Sequence, residues 1–297
     1  MLYPAELRGL PVRRHDSHLP GNVKTASLAA FAAAAFLALL PAEAVAADCP
    51  ANGGETAIVA DVLAGDTLRL ADGAVVRLAG VEAPQPPLTL PAGDSWPAAE
   101  EARRGLERLV AGVSVELAAA GESPDRHGRR HGYLFLADGR SVATELVAAG
   151  LVRVRWLPGE SACFQALLAG ESAARRARRG LWASPDYVIR KAYDPSLLRR
   201  NGLYELVEGR VVSVGHGTRM VFLDFGRDFR RDFTVMVSPA VAEGLAAAGV
   251  PVDGFANRRV RVRGVIEDSG GPAIRLNDAA EIEFIDGDDQ DDVGASR

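Results

Sequence analysis

Between Ala57 and Val81 apolar and polar residues alternate in three short runs, Ala57–Val62, Thr67–Leu70 and Val75–Val81. A period of two puts one face of each run into a core, so each reads as a half-buried strand. Gly65-Asp66 turns the first run into the second, and Asp72-Gly73 is a hairpin signal. A proline-rich loop, Pro84 to Pro97, follows. Ala98–Val110 then has helical spacing, with Ala102, Leu106, Leu109 and Val110 on one side. Ser114–Leu117 and Tyr133–Leu136 read as strands, Val142–Ala149 as a short helix, and Ser161–Arg179 as a longer helix stopped by Gly180. A strand-rich start, one crossing helix and a closing helix fit a small closed barrel with helices packed on it.

The pattern repeats in kind. Tyr204–Val214, Arg219–Phe225 and Phe233–Val237 read as strands, Ala240–Ala248 as a helix, and Arg259–Ile266 and Ala273–Leu276 as strands. That order suits an OB-type barrel. The expected fold class is therefore mainly β with helices, a β-barrel of the OB-fold kind plus a second, OB-like barrel. A length of 297 residues allows for two domains. We place them at 47–185 and 186–285, with the link around Tyr187–Asn201. The last twelve residues, 286–297, hold five Asp and one Arg and read as an acidic, disordered tail.

The amino terminus reads as an address. A block of about fifteen apolar residues, Thr25–Leu40, is too short to span a bilayer, which takes roughly 20. Lys24 precedes it, and Pro41 and Ala44-Val45-Ala46 follow, a small-x-small cleavage pattern. Residues 1–46 are thus expected to be a signal peptide cut after Ala46. The chain would then be exported, periplasmic or secreted, with no stable membrane span. An oxidising compartment lets its two cysteines, Cys49 and Cys163, close a disulfide; two buried thiols are the alternative.

With 48% hydrophobic and 25% charged residues the chain is neither globally disordered nor a multi-span membrane protein. Its net charge of −5 argues against a polyanionic partner. The charge is unevenly spread, however: the tail alone carries −4, residues 48–185 carry −2 and residues 186–285 are neutral. Lysine occurs only at 24 and 191, so nearly every cation is a guanidinium, which grips phosphate in bidentate fashion.

Four motifs in the first region bring chemistry together: Ala64-Gly65-Asp66-Thr67, then Arg77-Leu78-Ala79-Gly80-Val81-Glu82-Ala83-Pro84-Gln85, then Asp125-Arg126-His127-Gly128-Arg129, and last the Arg175–Arg179 cluster before Gly180-Leu181-Trp182. In this order, over about residues 55–185, they resemble the staphylococcal-nuclease-like (thermonuclease) family. The resemblance implies a calcium-dependent nuclease that hydrolyses phosphodiester bonds of single-stranded DNA or RNA. It matches Asp66 and Glu82 to the carboxylates that hold the metal, with Glu82 standing where the family usually has Asp. Ala83 matches a residue that lends its backbone carbonyl to the metal. Arg77 and Arg129 match the arginines on the scissile phosphate. Gln85 stands at the general-base position, Glu in the family, and a carboxamide accepts no proton at neutral pH. The alternative is a catalytically inactive nucleic-acid- or protein-binding OB module of the cell envelope. In the second region, Met220–Val235 interleaves Phe222, Phe225, Phe229 and Phe233 with arginines. These phenylalanines read as barrel interior, with single-strand stacking as the rival reading.

Overall fold

The computed structural model describes residues 54–86, 90–91, 95–121, 124–125, 127–156, 161–228 and 230–285. The expected signal peptide, Cys49, Arg126, Phe229 and the acidic tail lie outside the described residues. What is described falls within one compact unit, Val45–Arg297, which contains two large apolar cores.

The first core is enclosed by β1 (Glu55–Ala64), β2 (Thr67–Leu70), β3 (Val75–Leu78), β4 (Val81–Glu82), α1 (Pro97–Val110), β5 (Ser114–Ala119), β6 (Arg130–Phe135), α2 (Val142–Ala148), β7 (Arg153–Val154) and α3 (Ser161–Arg176). Five of these strands close a barrel in the order β1–β2–β3–β6–β5, with β5 returning to β1. Leu68, Leu70, Val76 and Leu78 point inward and are almost completely buried. Each such aliphatic side chain stabilises the fold by about 1.5–3 kcal/mol relative to an exposed one. Helix α1 lays Ala102, Leu106 and Val110 against the same core, at the four-residue spacing of one helix face. The expected strand Val75–Val81 is in fact two. Gly80 adopts φ +78, and a Cβ there would sit 2.7 Å from Leu167 Cδ1. Only glycine accepts both constraints, so the chain turns there and β4 pairs with β7 instead of the barrel.

The second core is enclosed by β8 (Arg190–Lys191), β9 (Tyr204–Arg210), β10 (Ser213–His216), β11 (Val221–Asp224), β12 (Thr234–Val237), α4 (Pro239–Ala247), β13 (Arg259–Asp268), β14 (Pro272–Arg275) and β15 (Ile282–Phe284). They form one eight-stranded sheet along the path β10–β11–β12–β14–β13–β9–β8, with β15 also on β13. Unlike the first barrel, this path does not close among the described residues. The expected strand Tyr204–Val214 breaks where the backbone changes partner. Val211 donates to the Arg258 carbonyl beside β13, and Val212 donates to Asp224 of β11. Phe233 lies in the core and Phe225 packs on it with ring centroids 5.1 Å apart, whereas Phe222 is partly exposed. The interior reading therefore holds for two of the three described phenylalanines, Phe229 lying outside the described residues.

Buried charge joins the two cores. Glu171, on the inner face of α3, accepts from the Val154 amide at 2.7 Å and from Arg263 of β13 at 3.0 Å. Arg153 of β7 donates to the Tyr204 carbonyl and reaches Glu205 at 3.5 Å. The Tyr204 hydroxyl donates to the Val154 carbonyl at 3.0 Å. Burial lowers the Arg263 guanidinium, but Glu171 more than offsets this and holds it above its ordinary value. No described helix is long and apolar enough to cross a membrane.

Candidate active site

Asp66 sits on the tight turn between β1 and β2. The turn is pressed against α1, because a Cβ on Gly65 would lie 2.4 Å from that of Ala102. This close approach leaves the Asp66 side chain only 2% exposed. Its Oδ1 accepts from the Thr67 hydroxyl at 2.8 Å. Its Oδ2 accepts from Arg77 Nε at 3.1 Å, Arg77 Nη2 at 3.0 Å and the Ala83 amide at 3.2 Å. Arg77 lies opposite Thr67 in the β2–β3 register, which aims it at the turn.

Glu82 occupies β4, beyond the Gly80 break, and is 6% exposed. Its Oε2 accepts from Arg77 Nη2 at 2.9 Å and also from Arg155 Nη1. Arg155 follows β7, and its amide donates to the Gly80 carbonyl at 2.9 Å. Its guanidinium lies 5.6 Å from the Tyr204 ring centroid, so the second sheet supports a residue of this site. Burial pulls the Arg77 guanidinium down, and Asp66 and then Glu82 more than restore it, leaving its pKa above the ordinary value.

Arg129 precedes β6 and is held by Asp125, whose Oδ2 accepts from its Nε at 2.8 Å. The other oxygen of Asp125 accepts from the His127 and Arg129 amides at 2.8 and 3.0 Å, which shapes the loop. Burial works to raise the Asp125 carboxyl, but these bonds win and hold it well below the usual range. Two residues on, His131 stands beside Arg77 in the parallel β3–β6 register. Burial first, and then the charges of Arg77, Arg129 and Arg155, push its imidazole below the ordinary value, against the opposing effect of Asp125. His131 Nε2 lies 3.9 Å from the Asp125 oxygen that holds Arg129, so His131, beside Arg77 on β3, links the two arginines to one neighbourhood.

The carboxylates matched to a metal, Asp66 and Glu82, do converge, since both pair with Arg77. As arranged they do not fit calcium, which takes 6–8 oxygen ligands. Three of the four hydrogen bonds to Asp66 crowd its Oδ2, and two guanidiniums offset the two carboxylates. A cation bridging Asp66 Oδ2 and Glu82 Oε2 would have to displace Arg77, which occupies both. Among the described residues no group of three or more His, Cys, Asp or Glu could hold a metal ion. Gln85 is exposed and turns its amide back toward the Ala83 carbonyl at 3.4 Å. Cys163 is buried beside Ala79, Tyr133 and Phe135.

Sequence reasoning missed Arg155 as a member of the site. The alternation Val152-Arg153-Val154-Arg155 was visible, but 73 residues separate Arg155 from Glu82 and only the β4–β7 pairing joins them.

Residues 75–184 match the family model of the staphylococcal nuclease homologues. That segment is similar to the family and carries three strands of the closed barrel, β3, β5 and β6. Proteins of this family are generally nucleases that bind nucleic acid. Arg77, Glu82, Ala83, Gln85 and Arg129 fall inside the match, and Asp66 lies on the barrel turn just before it.

Proposed function

We propose that this chain is an exported enzyme that hydrolyses phosphodiester bonds of DNA or RNA. One observation carries the reading: Arg77, His131 and the Asp125-held Arg129 lie in one neighbourhood, beside two buried carboxylates. An incoming phosphodiester offers oxygens that compete with Asp66 and Glu82 for Arg77, and with Asp125 for Arg129. Fixed guanidinium charge then stabilises the extra negative charge that develops as the fifth bond to phosphorus forms. The exposed Gln85 carboxamide at best orients the attacking water, since it accepts no proton. His131 accepts the water's proton as the water oxygen bonds phosphorus; the P–O bond to the departing nucleoside then breaks, and solvent protonates that alkoxide. The calcium dependence implied by the resemblance requires Arg77 to swing off Asp66, and no step here is built on it.

A second reading has its own support: with Gln85 at the base position and both carboxylates engaged by arginines, the barrel suits binding without cleavage. The purified chain and Gln85→Glu separate the two on single-stranded DNA and RNA, each with calcium or chelator. Cleavage by the natural chain, lost in Arg77→Ala, is the expected result. Cleavage by Gln85→Glu alone supports the binding module, and cleavage by neither overturns the nuclease.

Domains at 47–185 and 186–285, a leader at 1–46 and a Cys49–Cys163 bridge belong to the same proposal. The bridge is supported by Cys163, on the buried face of α3, having no free thiol. Mass spectrometry of the exported chain before and after reduction and alkylation checks both the leader and the bridge.

A further inference from the structure

A groove of about 1110 Å³ runs between the end of α3 and the second sheet. Its cations are Arg175, Arg178, Lys191, Arg210 and Arg259, and Glu208 is its one carboxylate. Even that carboxylate is neutralised, by Lys191 and by buried Arg261. In a chain of net charge −5, this is a local concentration of positive charge. Apolar surface is concentrated there too. Tyr193 is 83% exposed, and Val188 and Val212 are each 46% exposed, in a fold that buries most such side chains. Trp182 forms part of the wall, with the Arg175 guanidinium 6.0 Å from its ring centroid.

Cations beside one exposed ring, Tyr193, and one half-buried ring, Trp182, match one class of ligand, a polyanion whose charges are spaced by flat apolar groups. We propose that this groove binds single-stranded nucleic acid, its phosphates on the arginines and its bases against Tyr193 and Trp182. The inference rests on reading the chain as acting on nucleic acid, and it assigns the strand a binding surface apart from the Arg77–Arg129 site. Arg178, two residues past the end of α3, adopts φ +49 and lines the groove as an exposed cation. A duplex hides its bases and gains nothing from Tyr193. A smaller cavity of about 270 Å³ on the outer face of β11 and β12 makes the contrast. Phe222, Met236 and Asp224 line it with no cation, so a polyanion finds no counter-charge there.

The test is fluorescence anisotropy of a labelled twenty-nucleotide oligothymidylate with the full chain in chelator, where binding is read without cleavage. Arg178→Glu combined with Arg210→Glu reverses two exposed charges. It is expected to weaken binding at least tenfold and to flatten the salt dependence by about 1.4, from ~0.7 per lost phosphate contact. Tyr193→Ala is expected to weaken it about fivefold or more. Circular dichroism checks that each variant is folded. Unchanged affinity in the double reversal overturns the groove, as does a natural chain that does not bind. Equal or tighter binding of a duplex, or of heparin, overturns the assignment to single strands. A chain that binds through the groove yet never cuts any substrate leaves this inference standing and fails the nuclease reading alone.

Discussion

Two clusters of carboxylate and guanidinium have the same composition and opposite settings. At the site, Arg77 and Arg155 hold Asp66 and Glu82, and their side chains remain 16% and 34% exposed. Between the two cores, Arg263 and Arg153 hold Glu171 and Glu205, and all four side chains are at most 8% exposed. A buried pair that loses one member leaves a charge without water or partner, which costs about 3–5 kcal/mol. A half-open pair lets an incoming anion replace its carboxylate. The same chemistry is structural in one place and exchangeable in the other, and the degree of sealing makes the difference.

Substitutions can break this comparison, and the sealed cluster should respond most. Arg263→Leu strands Glu171 and is expected to lower stability by about 3–5 kcal/mol in urea unfolding. Arg77→Ala leaves buried Asp66 without its cation and is also expected to lower stability, less than Arg263→Leu because Arg77 is 16% exposed and Arg155 still holds Glu82, while reducing kcat by about 10²–10³-fold. A larger loss of stability than in Arg263→Leu would show that the site cluster is also structural.

The pH dependence sharpens the point. The folded pKa of His131 is depressed, so its neutral form and the stability that goes with it are present above the ordinary value near 6.5. That stability is lost as pH falls through the lower folded pKa, and cleavage should fall over the same window. His131→Gln is expected to remove this acid limb and about 10² in kcat. The smallest effect is expected from Tyr204→Phe, which loses the hydroxyl bond to Val154 but keeps the ring under Arg155. It should cost about 1 kcal/mol and leave kcat nearly unchanged.

Local rules were legible in the sequence where local forces decide. Strand β2 falls where alternation puts it, and α1 begins and ends within a residue of its apolar spacing. The turn that carries Asp66 and the strand that carries Arg77 were readable for the same reason. Strands β8 and β15 were not, because two or three residues show no period. The break at Gly80 depends on Leu167, far along the chain, pressing where a Cβ would be. Glu171 gave a signal that went unread. Cys163, Leu167 and Glu171 recur every four residues on one buried helix face, and an acid there demands a cation from elsewhere. Which cation answers, Arg263, is settled only by how the two sheets meet.

The contact of Arg155 with Tyr204 bears on modularity. A gene fragment encoding residues 47–185 would carry every residue the family resemblance assigns to the site. It would lack the ring over Arg155, the guanidinium that answers Glu171 and the hydroxyl on Val154. The nuclease-like half is therefore not a detachable cassette. Its transplantation into another protein would have to bring the surface of the second sheet along, or replace Glu171 and Arg155 to suit a new neighbour.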